Sequence, residues 1–428
     1  LWAAHQRYDA YWKHGSVQED YSAITCPVLA FGGWADSYTN SVPRMLENLS
    51  VPCRGVIGPW GHVYPHDGIP RPAIGWLQEA VRWWDQWLKG IDTGVMDEPQ
   101  LRAYVNDATT PDGTRTDQPG RWVGEDAWPS NDISDMPLWL TKSGLSDTAQ
   151  DGELSIRSPQ SHGKASGEWM SAGVPGEMPT DQRLDDGGSL NFDTDVLTED
   201  VEILGRPHLD LTVSSDSPVA QIVVRLCDVL PSGEVLRVSY QVLNLTHRNG
   251  HEAPEPLDVG KPAKVRVALN MCGHRFAPGH KIRVSVGTAY WPIVWPAPYA
   301  ATLSIDLADA CLILPRRTGS DVHRMTFDKP AHGPFTPITQ VDPGSVARST
   351  TQDHLTGETV YVTDGVGGVF GEGVLRFDEI GTEIAHSLRR EQRIHDDNPL
   401  SARSIIEQSY DTLREDANLR TETRLEMW

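Results

Sequence analysis

Residues 26–62 read CPVLAFGGWADSYTNSVPRMLENLSVPCRGVIGPWGH, and this stretch decides the fold. Its opening, Cys26 to Gly33, is a short apolar run bounded by Pro27 and a glycine pair, the pattern of a strand buried in a parallel sheet. Val42, Met45, Leu46 and Leu49 then fall on one helical face, with Ser41 as the expected N-cap and Pro43 near the first turn. Arg54 to Ile57 forms a second short strand that ends in Gly58-Pro59. Strand, helix, strand at this spacing is a βαβ unit and implies a parallel sheet. Further on, PAIGWLQEAVRWWDQWLKG (72–90) predicts an amphipathic helix with Ile74, Leu77, Val81, Trp84 and Leu88 on its apolar stripe. Asp85 and Lys89 make an i,i+4 pair there, and Gly90 is a natural stop.

From about Asp107 the texture changes. DATTPDGTRTDQPG (107–120) is a loop by composition. Beyond it come short alternating runs separated by turns: EILGRPHLDLTVSS (202–215), AQIVVRLCDVL (220–230), KVRVALNM (264–271) and HKIRVSVGTAYW (280–291) among them. Such strands predict an antiparallel sandwich or jelly roll. GETVYVTDGVGGVFGEGVLRFDEIG (357–381) reads as a hairpin with a glycine-rich turn, and NLRTETRLEMW (418–428) alternates like a strand. Gly365, Gly367 and Gly368 in the hairpin lack a following helix-and-lysine pattern, so phosphate binding is not expected there.

The 428 residues exceed the size at which one hydrophobic core stops growing, about 250–300 residues, so two domains are expected. With 59 acidic against 37 basic residues the formal charge is −22, which argues against nucleic acid or an anionic membrane as a partner. The 15 Trp against 7 Phe suggest aromatic-lined pockets or an aromatic-rich core. The five cysteines are scattered and odd in number, so no zinc site and no disulfide framework is indicated. No run approaches a membrane span, and LWAAHQRYDAYWK (1–13) lacks the apolar core of a signal peptide, which favours the cytoplasm. The chain opens on Leu1 rather than Met and stops abruptly, so further sequence is expected at both ends.

In an open parallel sheet, reactive side chains gather on the loops past the carboxyl ends of the strands. Asp36 sits there after the first strand, in GGWADSY, and His62 after the second, in GPWGH. An acid that orients an imidazole, followed in sequence by that histidine, is the acid-then-base order of an α/β-hydrolase. His62 and His66, four apart, could be imagined as metal ligands, but Pro65 and the strand-end context argue against it, and no metal site is expected.

GGWADSY, VIGPWGH and EAVRWWDQWLKG together resemble the cocaine esterase-like (CocE/NonD) hydrolases, relatives of the X-prolyl dipeptidyl peptidases. Residues 181–207, 224–248 and 276–298 resemble the β-sandwich domain of that family, and the likeness runs from about Tyr8 to at least Pro298. The resemblance implies a C-terminal half of an α/β-hydrolase domain over 1–128, with 1–22 ending a helical cap, and a jelly-roll β-sandwich over 129–428. It implies Asp36 as triad acid and His62 as triad base. It also implies Tyr38 as a wall of the acyl pocket, Trp34 in the same loop with packing an equal alternative, and Trp169 as an apolar contact lent by the sandwich. For Trp83, Trp84, Trp87, Trp291 and Trp295 packing is expected.

One part of the pattern is missing. No G-x-S-x-G elbow occurs in the sequence: Ser146 lacks the second glycine, and Ser189 lies in GGSLN within the β region. The elbow should precede the acid, and only 35 residues precede Asp36. The chain is therefore expected to be the C-terminal part of a serine hydrolase of small-molecule esters or amides, inactive alone and needing no cofactor. An Xaa-Pro dipeptidyl peptidase is an alternative for the full-length activity, and a non-catalytic β-sandwich binding or assembly module for the chain itself. Since members of the family often self-associate, a homo-oligomer is a possible partner state.

Overall fold

The computed structural model describes residues 1–319, 325–366 and 373–428. Three parallel strands hold the site: β1 (Val28–Gly33), β2 (Cys53–Gly58) and β3 (Leu101–Asp107). Val28 lies opposite Cys53 and Gly33 opposite Gly58, and β2 continues to β3 through Gly55 to Leu101. The expected βαβ unit is present, with β1 at the end of the sheet and less buried than β2.

Short helix α1 (Ala10–His14) precedes the sheet. Helix α2 (Ser41–Asn48) crosses between β1 and β2 and buries Val42, Pro43 and Leu46. Ser41 is its first residue rather than its cap; Asn40 holds that place without a capping side-chain bond. Helix α3 (Trp76–Lys89) ends as expected at Gly90 in the left-handed region, with Lys89 2.6 Å from Asp85. Its buried face is not the expected stripe, however. Glu79, Ala80 and Trp83 face inward, while Val81, Trp84 and Leu88 are exposed. Charge rather than hydropathy sets this orientation. Glu79 accepts from buried Arg102 at 2.8 Å and from Arg82 at 3.0 Å, and Arg102 also meets Glu98. A buried carboxylate requires such partners, and they pin the helix by its polar side.

The sheet does not stop at β3. Asn106 and Asp107 pair with His274 and Arg275, so the parallel strands run on into a twelve-stranded sheet. A four-stranded sheet of residues 190–193, 221–229, 235–244 and 281–287 faces it. Between them lies the largest core, which includes Leu211, Ile222, Val224, Phe276, Ile282 and Leu312.

From Ile338 onward the strands form a separate seven-stranded sheet. The expected hairpin in 357–381 is corrected here. Strands Glu358–Val366 and Val374–Phe377 exist, but each pairs with Thr382–His395 and not with the other. The long strand Thr382–His395 gives a ladder to both, to 358–366 along its C-terminal part and to 375–377 at its start. Gly367 and Gly368 of that turn lie outside the described residues. No helix among the described residues is long and apolar enough to cross a membrane.

Candidate active site

Both loops that carry the expected acid and base leave the same edge of the parallel sheet and stay zipped beyond it. Trp34 N–H donates to the Gly58 carbonyl and Ala35 N–H to the Trp60 carbonyl, each at 2.9 Å. A Cβ on Gly33 would lie 2.1 Å from the Trp60 carbonyl oxygen, so only glycine allows this approach. Trp60 is buried under the loop and donates from Nε1 to the Pro72 carbonyl at 2.7 Å.

This zipper brings Asp36 to His62. Asp36 Oδ2 lies 3.0 Å from His62 Nδ1, and Asp36 Oδ1 accepts from the Tyr38 backbone N–H at 3.0 Å. The Asp36 side chain is 13% exposed and that of His62 is 49% exposed. With the carboxylate accepting from Nδ1–H, the ring is held in the tautomer whose Nε2 lone pair is open. A cavity of about 500 Å³ borders the pair, lined by Phe31, Asp36, His62, Tyr64 and Trp76 among others. It has the His62 imidazole in its lining together with the aromatic faces of Phe31, Tyr64 and Trp76.

The other expected residues divide. Tyr38 is exposed with its ring 5.5 Å from that of His62, beside the pair. Trp34 turns away, donating to the Tyr104 carbonyl at 2.5 Å and packing against the Ala30, Leu46 and Met271 cluster. Trp169 stands edge-on to Tyr240 at 6.1 Å and borders a small cavity of about 60 Å³ with Trp34, Asp36 and Ser171. It therefore shares a cavity with Asp36 and is absent from the lining of the larger cavity beside His62.

Three features were not read from the sequence. Tyr64, Trp76 and Phe31 line the larger cavity, and only their aromatic character could have suggested them. The Ser171 carbonyl accepts the His62 backbone N–H at 2.5 Å, a main-chain contact with no residue signature. Third, His66, Asp67 and His332 bring their ligand atoms within 4.8 Å of one another. Two imidazoles and a carboxylate form a donor set that suits a divalent cation. Asp67 Oδ1 lies within hydrogen-bond distance of His332 Nε2 at 2.9 Å, and Asp67 Oδ2 lies 3.4 Å from His66 Nε2. His62 takes no part in it.

Comparison with known proteins gives the same direction. Residues 93–333 match the family model of the X-Pro dipeptidyl-peptidase C-terminal non-catalytic domain, and residues 1–64 that of the X-Pro dipeptidyl-peptidase S15 family. The cocaine esterase of Rhodococcus sp. (strain MB1 Bresler) is 24% identical over 314 residues, 67% of this chain and 53% of the esterase. An aminopeptidase from a marine sediment Thaumarchaeota archaeon superposes with a TM-score of 0.58 at 21% identity, over 74% of this chain and 59% of its own. An α-amino acid ester hydrolase superposes with a TM-score of 0.58 at 23% identity, over 73% and 59%. The chain spans about half the length of the curated relatives it matches.

Proposed function

The chain belongs to the hydrolase family of the X-Pro dipeptidyl peptidases and cocaine esterase-like enzymes, and from that premise we propose that Asp36 and His62 are the acid and base of a serine acyl hydrolase. The observation that carries the reading is the 3.0 Å contact between Asp36 Oδ2 and His62 Nδ1 at the wall of an aromatic-lined cavity. No G-x-S-x-G elbow occurs in the 428 residues, so the nucleophile is assigned to a segment outside them. On the same footing, residues 1–128 are the C-terminal part of the α/β-hydrolase domain, with 1–22 the end of its cap. Residues 129–428 are the β-sandwich domain that follows, of jelly-roll type, with the separate seven-stranded sheet from Ile338 at its end.

In the complete enzyme the serine Oγ attacks the carbonyl carbon of an ester or amide while His62 Nε2 takes the hydroxyl proton. The tetrahedral intermediate collapses, the bond to the leaving alcohol or amine breaks, and His62 returns the proton to it. Water then repeats the sequence on the acyl-serine. Asp36 keeps the ring oriented and stabilises its protonated form without itself accepting the proton. Tyr38, Phe31, Tyr64 and Trp76 offer aromatic surface to the acyl or leaving group.

A fluorophosphonate probe and a p-nitrophenyl ester test this. The 428-residue chain should show no covalent labelling and no turnover above buffer. Stoichiometric labelling of a serine in this chain, lost on His62→Ala, would overturn the assignment. In a chain that carries the elbow, Asp36→Asn should lower kcat by about 10⁴-fold through the wrong tautomer.

A further inference from the structure

The loop that holds His62 from behind is itself held by residues outside the family match. Residues 167–178 run along the His62 loop: the Ser171 carbonyl accepts the His62 N–H, and a Cβ on Gly61 would lie 2.3 Å from that carbonyl oxygen. The conformation of 171–174 depends on one buried carboxylate. Glu177 Oε2 accepts the backbone N–H of Ala172 at 2.7 Å and of Val174 at 3.1 Å, and the Ser171 hydroxyl at 3.4 Å. Glu177 is 7% exposed. A carboxylate this buried needs a cation, and among the described residues the one it meets is Arg348 Nη2, 3.4 Å from its Oε1.

Arg348 lies on strand Ser345–Gln352 of the C-terminal sheet, beyond the matched residues. Its other terminal nitrogen binds Glu168, the neighbour of Trp169, and Arg390 of the same sheet binds Glu168 as well. Burial pushes the Glu168 carboxyl up, but the Arg390 and Arg348 guanidiniums outweigh it and hold it below the ordinary carboxylate range. The sheet is in turn seated on the sandwich. Tyr361 donates to the Ser161 carbonyl at 2.9 Å, Gln160 N–H donates to the Asp396 carbonyl at 2.8 Å, and Ile394 and Ala402 pack on buried Trp291.

We propose that Arg348 is a positioning residue for the catalytic histidine: the C-terminal sheet, through Arg348 and Glu177, fixes the 171–174 backbone that anchors the His62 N–H. The proposal rests on the reading of Asp36 and His62 as acid and base. Without Arg348, Glu177 is a buried carboxylate that has lost the guanidinium facing its Oε1, and desolvation drives it toward water. That movement weakens its hold on Ala172 and Val174, and the Ser171 carbonyl loses its fixed place against His62. In the complete enzyme a misplaced base costs turnover more than binding, since misplacement by about 1 Å can cost about 10²-fold.

The test uses hydrogen–deuterium exchange of the 428-residue chain and its Arg348→Met, Glu177→Gln and Arg389→Met variants. Arg389 sits on the same sheet and, among the described residues, pairs with Asp364 and Glu391. Exchange in residues 59–64 and 169–176 should accelerate on the order of tenfold in Arg348→Met and Glu177→Gln, as for a local opening. Residues 53–58 and 221–229 should not change, and Arg389→Met should match the unaltered chain. Unchanged exchange at 59–64, or equal acceleration at 221–229, would overturn the proposal. A second readout is the hydrogen-bonded His62 Nδ1 proton in histidine-labelled protein, which should broaden or vanish in Arg348→Met. Asp36→Asn separates the two claims. If it leaves that proton unmoved, the acid–base reading fails; if it abolishes the signal while Arg348→Met changes neither readout, only the role of Arg348 fails.

Discussion

The molecule builds sheets in two physical regimes, seen by comparing strand Gln221–Val229 with strand Asn418–Met427. In the first, all residues from Gln221 to Asp228 are buried and the two neighbouring strands cover both edges. In the second, every residue but one is exposed and, among the described residues, one neighbour, Asn398–Leu413, is paired. The sandwich strand is laddered on two edges and the terminal strand on one, but that count does not decide which of them is buried. The side chains do. The sandwich strand puts Ile222, Val224 and Leu226 into a shared core, whereas the terminal strand sets Arg420 opposite Asp411 and Arg424 opposite Glu407. Burial stabilises the first, while cross-strand charge chiefly fixes the register of the second.

If that contrast is right, the largest loss of stability should come from the sandwich core. Phe276 is fully buried in it, and Phe276→Ala should destabilise the sandwich by about 3–5 kcal/mol, read as a shift of the urea midpoint. A shift below about 1 kcal/mol would break the comparison, because it would show a core able to collapse without cost. Next comes the polar exception inside the same sandwich. Asp228 is fully buried and its two oxygens lie 2.9 Å from His274 Nε2 and 2.7 Å from His280 Nδ1. Asp228→Ala strands both imidazoles and should cost about 3 kcal/mol. Asp228→Asn, which keeps one acceptor, should cost less. Equal losses for Ala and Asn would mean that the charge, and not the pair of hydrogen bonds, is what the site requires.

The same contrast explains what could be read from the sequence. Cys26 to Gly33 and Arg54 to Ile57 announced their strands because a parallel strand leaves a short, largely apolar run, even for β1, which is only half-buried at the end of the sheet. Asp36 and His62 were legible because an order of residues along strand ends maps directly onto one rim of a sheet. The face of α3 was not legible, since hydropathy favoured Val81, Trp84 and Leu88 while the buried Glu79–Arg102 pair decided the packing. Alternation in 357–381 and 418–428 announced strands, but it is the same for a strand over a core and for a strand in water. The partner of 358–366 was likewise hidden, because register depends on Thr382–His395, a strand that no local turn identifies. The hold of Glu177 on Ala172 and Val174 runs through backbone N–H groups, which any sequence supplies.

The smallest effect should come from the terminal strand. Arg424 bridges Glu407 at 3.1 Å and Glu426 at 2.7 Å, with its side chain half exposed. Exposed ion pairs return little stability, because solvent screens the attraction and two long side chains must be held still. Arg424→Glu places like charges directly opposite each other, so exchange at 418–427 should accelerate. The main unfolding midpoint should stay where it is, because the sandwich core does not share those residues. In about 1 M salt, where the Debye length is about 3 Å, the local acceleration should shrink toward that of Arg424→Ser. A variant that lowered the main midpoint instead would show that the terminal sheet and the sandwich unfold together. The seating of Ile394 and Ala402 on Trp291 would then be a cooperative joint between them rather than a local contact.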